Sequence, residues 1–147
     1  MPIHVEKREF PFSREQLFDL VAAVDRYPEF LPWCRAARVT QRQQDHIRAE
    51  LVVGFKIFRE RFTCEVRLDR PGTIEVDYLK GPLRHLNNRW CFSAKPEGGS
   101  VVDFYVDFEF HSPLMQRVVM LLFNDAVRRM VSAFERRAHV LYTAKIK

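Results

Sequence analysis

The side chains of this sequence that could do chemistry are its histidines, cysteines and acids, and their spacing favours none of the common catalytic or metal-binding arrangements. The five histidines stand at positions 4, 46, 85, 111 and 139, and no two are four residues apart. The three cysteines, at 34, 64 and 91, form no C-x-x-C pair, and their odd number fits a reducing compartment. Nucleophile-elbow, zincin and phosphate-loop motifs are missing. The sequence therefore predicts neither catalytic residues nor a metal site.

Asp103, Asp107 and Glu109 are the most regularly spaced acids, and they fall on one face of a predicted strand. The opposite face of that strand consists of valine and phenylalanine. Because an antiparallel strand with one apolar face normally turns its other face to water, we expect these carboxylates to be solvated. His85 and His111 fall near predicted strand ends, where they either stay on the surface or enter the mouth of a cavity.

Large apolar side chains are more informative than the polar ones. The chain contains 13 phenylalanines, which fill volume without needing a hydrogen-bond partner, so either a large core or a lined cavity is expected. The segment YPEFLPWC at residues 27–34 places four large apolar side chains around two prolines. It is too rich in proline for a helix interior or a central strand. It is also too hydrophobic for an ordinary solvated loop.

The elements that would position these side chains follow from capping signals and periodicity. Ser13 and Gln16 form a capping box that opens a helix over residues 14–24, after a short strand over 2–10. Apolar and polar residues then alternate in five segments separated by turn signals, namely 48–56, 60–69, 74–78, 86–92 and 102–110. Ser112 and Pro113 start a last helix, and residues 114–143 contain no Gly or Pro that would end it.

The apolar faces of these elements must be buried against one another. We therefore predict an α+β fold of one domain over residues 1–147, in which a curved antiparallel sheet of six or seven strands wraps around the long C-terminal helix. One helix covers so wide a phenylalanine-rich face only if side chains or a ligand fill the remaining space. The residues alone leave both possibilities open.

The net charge of +5 is concentrated in residues 113–147, which hold seven basic and two acidic side chains. This basic helix face is either simply solvated or in contact with a polyanion such as anionic lipid or nucleic acid. The first turns of the helix are apolar nearly all round, so a neighbouring loop covers them or they face an apolar partner. The predicted membrane or partner surface comprises Leu114, Val118, Leu121, Arg128 and Arg129.

In its order of elements and in five short motifs, the sequence resembles the coenzyme Q-binding START-domain family, part of the START-like, polyketide cyclase-like helix-grip superfamily. The motifs are YPEFLPWC at 27–34, VGF at 53–55, GPLRHLNNRWCF at 81–92, VDFYVDFEF at 102–110 and AFERRA at 133–138. The resemblance extends from about residue 3 to residue 143. The same family includes bacterial ribosome association toxins of the RatA type, and Trp33 with the AFERRA run favours the quinone-binding branch.

The resemblance implies a helix-grip protein that binds an isoprenoid quinone such as ubiquinone and acts as a lipid chaperone in respiration or quinone biosynthesis. It implies no catalysis and no catalytic cofactor. It also implies a hydrophobic cavity between sheet and helix, with the segment 27–34 as its lid or rim; the alternative for that segment is a hydrophobic plug that closes one end of the core. The quinone head needs one or two hydrogen-bond donors, for which Arg89, His85 and Tyr27 are candidates. The residues expected to contact the ligand are Tyr27, Phe30, Leu31, Trp33, Phe55, Phe62, Trp90, Phe104, Phe108, Leu122, Phe123 and Met130.

Two other interpretations stay open. A RatA-like factor would bind the large ribosomal subunit through basic side chains, whereas a cyclase or hydrolase is suggested by fold analogy alone. No DNA partner is expected. The N-terminus resembles no signal peptide and no run is apolar enough to span a bilayer, so we expect a protein that is cytoplasmic or peripheral on the inner membrane, on the matrix side in a eukaryote.

Overall fold

The structure is a computed structural model that describes residues 3–31, 34–55, 58–81 and 83–142. Within these ranges it describes the backbone but not the side chains of Phe55, Phe58, Val119, Leu122, Phe123, Asn124 and Ala126. The predicted α+β helix-grip fold is confirmed, with seven strands in one antiparallel sheet in the spatial order β1-β7-β6-β5-β4-β3-β2. The strands are β1 (Ile3–Phe10), β2 (Cys34–Gln43), β3 (His46–Phe55), β4 (Phe58–Asp69), β5 (Thr73–Lys80), β6 (Leu83–Ala94) and β7 (Ser100–Phe110).

Two helices and one 3₁₀ helix complete the fold. Helix α1 covers Arg14–Ala22, a 3₁₀ helix covers Val24–Glu29, and α2 covers Pro113–Tyr142. The predicted capping box is present, since the Ser13 hydroxyl accepts from the Gln16 backbone N–H and the Gln16 side chain accepts from the Ser13 N–H, both at 3.1 Å. The first helix ends two residues earlier than predicted, and the last helix begins one residue earlier. Its predicted end, residue 143, lies outside the described residues.

The proline-rich segment differs from its prediction, because its first part belongs to the 3₁₀ helix with Pro28 inside it. So short a helix makes few repeating bonds, and the missing proline N–H is therefore tolerated. The segment after it turns on two hydrogen bonds to the Tyr27 carbonyl, from the N–H groups of Phe30 at 3.2 Å and Leu31 at 2.9 Å. Residues 32 and 33 lie outside the described part of the chain.

The two faces of the sheet follow the alternation seen in the sequence. Phe104 on β7 and Trp90 on β6 are paired in register and both are buried. The outer face carries cross-strand ion pairs, among them Arg48–Glu65 at 2.9 Å and Arg89–Glu75 at 3.1 Å. Hydrogen bonds from these arginines lower the pKa of both carboxyls. The apolar layer therefore faces α2, and charge is largely paired on the convex side.

One end of the molecule is closed by α1 and the C-terminal half of α2. Phe18 packs edge-on against Phe92 with ring centroids 5.9 Å apart. The Tyr142 hydroxyl donates to the Gln16 carbonyl at 2.9 Å, which joins the two helices. This closed end leaves the space under the first half of α2 for a cavity.

Candidate ligand-binding cavity

A cavity of about 360 Å³ lies between the concave face of the sheet and α2. Its wall comes from strands β2 to β7, from α2, and from the segment around the 3₁₀ helix. Nearly all of the wall is apolar. The cavity falls near the lower end of the roughly 300 to 1,000 Å³ that is usual for sites binding small organic molecules.

Four aromatic side chains, here called the aromatic floor, form the inner end of the cavity. They are Tyr27, Trp90, Phe104 and Phe134. The Trp90 ring centroid lies 4.8 Å from that of Phe104 and 5.1 Å from that of Phe134, and Tyr27 meets Phe134 at 5.4 Å, all near edge-to-face. The Tyr27 hydroxyl donates to the Val21 carbonyl. These contacts hold the floor in one arrangement.

The cavity opens at its other end, toward the first turns of α2. Wall residues near the floor, such as Cys64 and Ile74, are buried, whereas Leu86, Phe110, Met115 and Val118 are only half-buried. The last four residues lie on β6, at the end of β7, and on α2 just after it. We call this side the open end.

Few polar groups interrupt the apolar wall. The described ones with side-chain oxygen or nitrogen are Tyr27, Glu60 and Asn88. The Asn88 amide donates from Nδ2 to the Tyr105 carbonyl at 2.8 Å and accepts the Trp90 indole N–H at 2.9 Å. Glu60 is half-buried near the open end, paired in register with Val53. The cavity therefore suits a largely hydrocarbon ligand.

Two cysteine thiols also face this cavity, those of Cys34 and Cys64. Burial raises the pKa of Cys34 to about 11 and that of Cys64 to about 12. Burial also raises the pKa of Tyr27. All three groups are therefore protonated near neutral pH and behave as weakly polar wall.

Seven of the twelve residues predicted to contact ligand line the cavity: Tyr27, Leu31, Phe62, Trp90, Phe104, Phe108 and Met130. Phe30 instead packs on the outer side of the floor, 5.1 Å from the Phe134 ring and beneath the Arg137 guanidinium at 5.2 Å. Trp33 lies outside the described residues. The remaining three belong to β3 and α2 without described side chains, namely Phe55, Leu122 and Phe123.

Two of the three donors suggested for a ligand head group do not line the cavity. His85 lies 3.1 Å from Asp107, and Arg89 pairs with Glu75 on the convex side. Asn88 and Glu60 face the cavity and were missed. Strand parity could have found both, since each stands two residues before an inward aromatic side chain, Trp90 and Phe62 respectively.

The residues of the predicted partner surface on α2 do not all lie on one exposed face. Leu114 is 70% and Leu121 is 83% exposed, so no segment among the described residues covers them. Val118 lines the cavity instead of pointing outward. Arg128 and Arg129 are exposed, and Arg129 pairs with Asp125 at 3.0 Å.

The open end also carries a group of exposed basic side chains that the sequence did not reveal. We call it the basic collar, and it comprises Arg35, Arg59, Arg61, Lys80, Arg84 and Arg117. Arg59 pairs in register with Gly54, which lines the cavity, and Arg84 follows the wall residue Leu83. The Arg35 side chain lies across Gly54, where a β-carbon would stand 2.8 Å from its Nε. A larger residue at position 54 would therefore displace the Arg35 side chain.

In the described ranges, no three His, Cys, Asp or Glu side chains are grouped so as to hold a metal ion. No helix among the same residues is both long and apolar enough to cross a bilayer.

Comparison with known proteins gives a consistent family and two different kinds of relative. The family model for polyketide cyclase / dehydrase and lipid transport matches residues 10–135. The ribosome association toxin RatA of Pseudomonas aeruginosa is 36% identical over 143 residues, covering 97% of this chain and 99% of its own. The mitochondrial coenzyme Q-binding protein COQ10 homolog B of Xenopus laevis is also 36% identical, over 93% of this chain and 58% of its own. The preference for the quinone branch is therefore not confirmed.

Solved structures share the fold over nearly the whole chain. An 18 kDa protein of Caulobacter crescentus, determined in solution, is 34% identical with a TM-score of 0.79, covering 97% of this chain and 99% of its own. The Zhui aromatase/cyclase of Streptomyces sp. R1128 has a TM-score of 0.83 at 13% identity, covering 97% of each chain. At that identity the likeness shows the fold alone.

Proposed function

Because the chain belongs to the polyketide cyclase, dehydrase and lipid transport family, we propose that it binds an isoprenoid quinone of the ubiquinone type in the cavity and acts as a lipid chaperone. Its role would be to support respiratory electron transport or quinone biosynthesis. The observation that carries the proposal is the nearly wholly apolar cavity of about 360 Å³ with its few polar groups.

The energetics of an apolar wall favour a prenyl chain. Burial of hydrocarbon contributes about 0.8 kcal/mol per CH₂, so each isoprene unit of five carbons contributes roughly 4 kcal/mol before ordering costs. A cavity of about 360 Å³ holds a quinone ring and the first part of a tail, but not a long polyprenyl chain. The rest of such a tail must leave through the open end.

The cavity is also chemically compatible with a quinone. Thiolates add readily to quinone rings, whereas thiols do so slowly. The raised pKa values of Cys34 and Cys64 keep both thiols protonated, so a bound quinone is not attacked. The proposal assigns no catalytic step, and the same burial makes Tyr27 and the two cysteines unsuited to act as general bases.

We place the membrane contact at the open end. The basic collar and the exposed Leu114 and Leu121 lie at the side from which a prenyl tail must leave. Each basic side chain near an anionic leaflet contributes about 1 kcal/mol, and exposed leucines insert among the lipids. Peripheral docking would let the ligand pass without crossing water.

The test is organic extraction and mass spectrometry of the natively purified protein, followed by a comparison of two variants. Val106→Trp fills the cavity from β7, whereas Val101→Trp adds the same side chain on the outer face of that strand. We expect a near-stoichiometric quinone in the wild type and in Val101→Trp, and a large loss in Val106→Trp. Undiminished quinone in a folded Val106→Trp protein would exclude the cavity as its site.

Ribosome association is the second candidate function, favoured by the near full-length similarity to RatA and by the basic collar. It predicts co-sedimentation with large ribosomal subunits that weakens steeply with salt, as phosphate contacts do. Reversal of Arg59 and Arg61 to Glu should abolish this co-sedimentation, and reversal of Arg128 and Arg129 tests the helix face instead. Failure of the wild-type protein to co-sediment at low salt would exclude this function.

A further inference from the structure

The orientation of the Asn88 amide in the cavity wall is fixed by its two partners. The Trp90 indole nitrogen can only donate, so the atom facing it at 2.9 Å is Oδ1. The Tyr105 carbonyl can only accept, so the atom facing it at 2.8 Å is Nδ2. The two bonds agree on one orientation, and the amide cannot flip without losing both.

These bonds leave one hydrogen-bond donor unused. An amide nitrogen carries two hydrogens, and the Tyr105 carbonyl takes one of them. In the described part of the chain, no acceptor is recorded for the second hydrogen. Asn88 is half-buried and part of the cavity wall. The cavity therefore contains a donor whose direction is held by the protein.

The neighbours of this donor on its own strand and on the two adjacent strands are largely apolar. Asn88 pairs in register with Val76 on β5 and with Val106 on β7. Leu86 and Trp90 are the inward neighbours on its own strand. A lone donor in such a wall is unfavourable unless an acceptor meets it, and a bond made there is stronger than one made in water.

The other polar groups of the described wall are poor substitutes. The Tyr27 hydroxyl has its hydrogen committed to the Val21 carbonyl. Glu60 offers only acceptors when ionised, and it lies nearer the open end. Asn88, in contrast, stands two residues before Trp90 on β6, so it is the inward-facing residue next to the aromatic floor.

We propose that Asn88 is the polar recognition point of the cavity and selects ligands that bear a carbonyl or similar acceptor oxygen, with the head group against the aromatic floor and the tail toward the open end. This inference rests on the proposed lipid-binding function but extends it, since it names the donor, the ligand chemistry and the binding direction. Either carbonyl of a quinone meets the requirement, and a pure hydrocarbon does not.

The direct test on the wild type is nuclear magnetic resonance of the Asn88 side-chain NH₂ group. Its signals are assigned by their loss in Asn88→Asp, which keeps an acceptor for Trp90. Titration with a ubiquinone carrying a geranyl tail should shift one NH₂ proton strongly. Titration with geranyltoluene, which has the same tail and no oxygen, should not. Equal effects of the two ligands on these wild-type signals would overturn the inference.

Binding constants of the same two ligands provide the second test. The variants are Trp90→Phe, which retains the amide, and Trp90→Phe/Asn88→Leu, which removes it without leaving an indole N–H unpaired. We expect the double variant to bind the quinone about tenfold more weakly than Trp90→Phe does, and to bind geranyltoluene no worse, because one hydrogen bond has been lost.

The outcomes separate the inference from the function on which it rests. If the double variant still bound the quinone in preference to geranyltoluene as strongly as Trp90→Phe does, the role of Asn88 would be refuted and the quinone proposal would stand. Natural extraction of a different acceptor-bearing lipid, lost in the double variant, would refute the quinone and support Asn88. A wild-type protein that binds neither ligand and yields no lipid on extraction would refute both.

Discussion

Replacement of Phe134 by alanine probes the aromatic floor most directly. The Phe134 ring contacts Tyr27, Phe30 and Trp90 at centroid distances of 5.1 to 5.4 Å. It also stands between the main cavity and a smaller void of about 20 Å³ toward α1, since its side chain lines both. The substitution removes a buried ring at a place already next to empty space, so the neighbours have little to collapse onto.

The expected loss in the free energy of unfolding is about 3 to 5 kcal/mol, the usual range for a buried Phe→Ala change. For a chain of this size such a loss lowers the melting temperature by roughly 10 °C. Urea denaturation followed by circular dichroism measures it. Val140→Ala is the matched control on the same helix, where the side chain is 65% exposed and a change within about 0.5 kcal/mol is expected. A loss under about 1 kcal/mol in Phe134→Ala would show that the floor is not a packed unit.

Three further predictions concern other parts of the molecule. Ser13→Ala removes the N-cap of α1 and should lower stability by about 1 kcal/mol in thermal unfolding. Burial raises the pKa of both Cys34 and Cys64, so iodoacetamide should alkylate them far more slowly than a free thiol at pH 7.5. The rate should increase toward pH 11. Alkylation at the free-thiol rate would contradict their burial. The Arg89 hydrogen bond lowers the pKa of Glu75, so its stabilising effect is complete above the ordinary pKa of 4.5 and disappears as pH falls through the lowered value. Wild type should therefore exceed Glu75→Gln in stability at pH 7, and the difference should shrink by pH 3.

Local patterns in the sequence predicted most of the fold because each reports a strong physical constraint. Alternation places every second side chain of a strand in the core, and it identified the inward face of β7 correctly. Strand β2 was missed because it lies at the edge of the sheet, where it pairs with β3 alone among the described strands, and most residues of its sequence CRAARVTQRQ are exposed. Its alternation is correspondingly weak.

The cavity was predictable in kind but not in its polar groups. Phenylalanine on a wide inward face indicated a lined space, and seven of the expected contacts line it. Asn88 was passed over because a single polar residue in an apolar face looks like an interruption of the pattern. Its meaning depends on Tyr105, which is close in space but 17 residues away in sequence. Only the structure brings the amide, its two partners and the cavity together.

The basic collar shows that net charge counted by sequence segment does not reveal basic side chains that come together only in the folded protein. Residues 1–112 hold equal numbers of basic and acidic side chains, so the sequence assigned the excess charge to the C-terminal helix. In space, acids such as Glu65 and Glu75 pair with arginines in the middle of the outer face. The exposed arginines at the strand ends then gather at the open end, although no sequence segment is strongly basic there.

The two candidate functions depend on different parts of one fold, the cavity wall and the basic collar, and variants can alter these parts separately. A bound lipid would contact the cavity wall, whereas ribosomal phosphates would contact the basic collar on the exterior. A cavity-filling change such as Val106→Trp alters the first surface without touching the second, and charge reversal at Arg59 and Arg61 does the opposite. If charge reversal abolished lipid exchange with anionic vesicles but left a preloaded ligand in place, the collar would serve delivery. If it abolished ribosome co-sedimentation while exchange continued, the same six side chains would serve the other partner, and the cavity would need its own explanation.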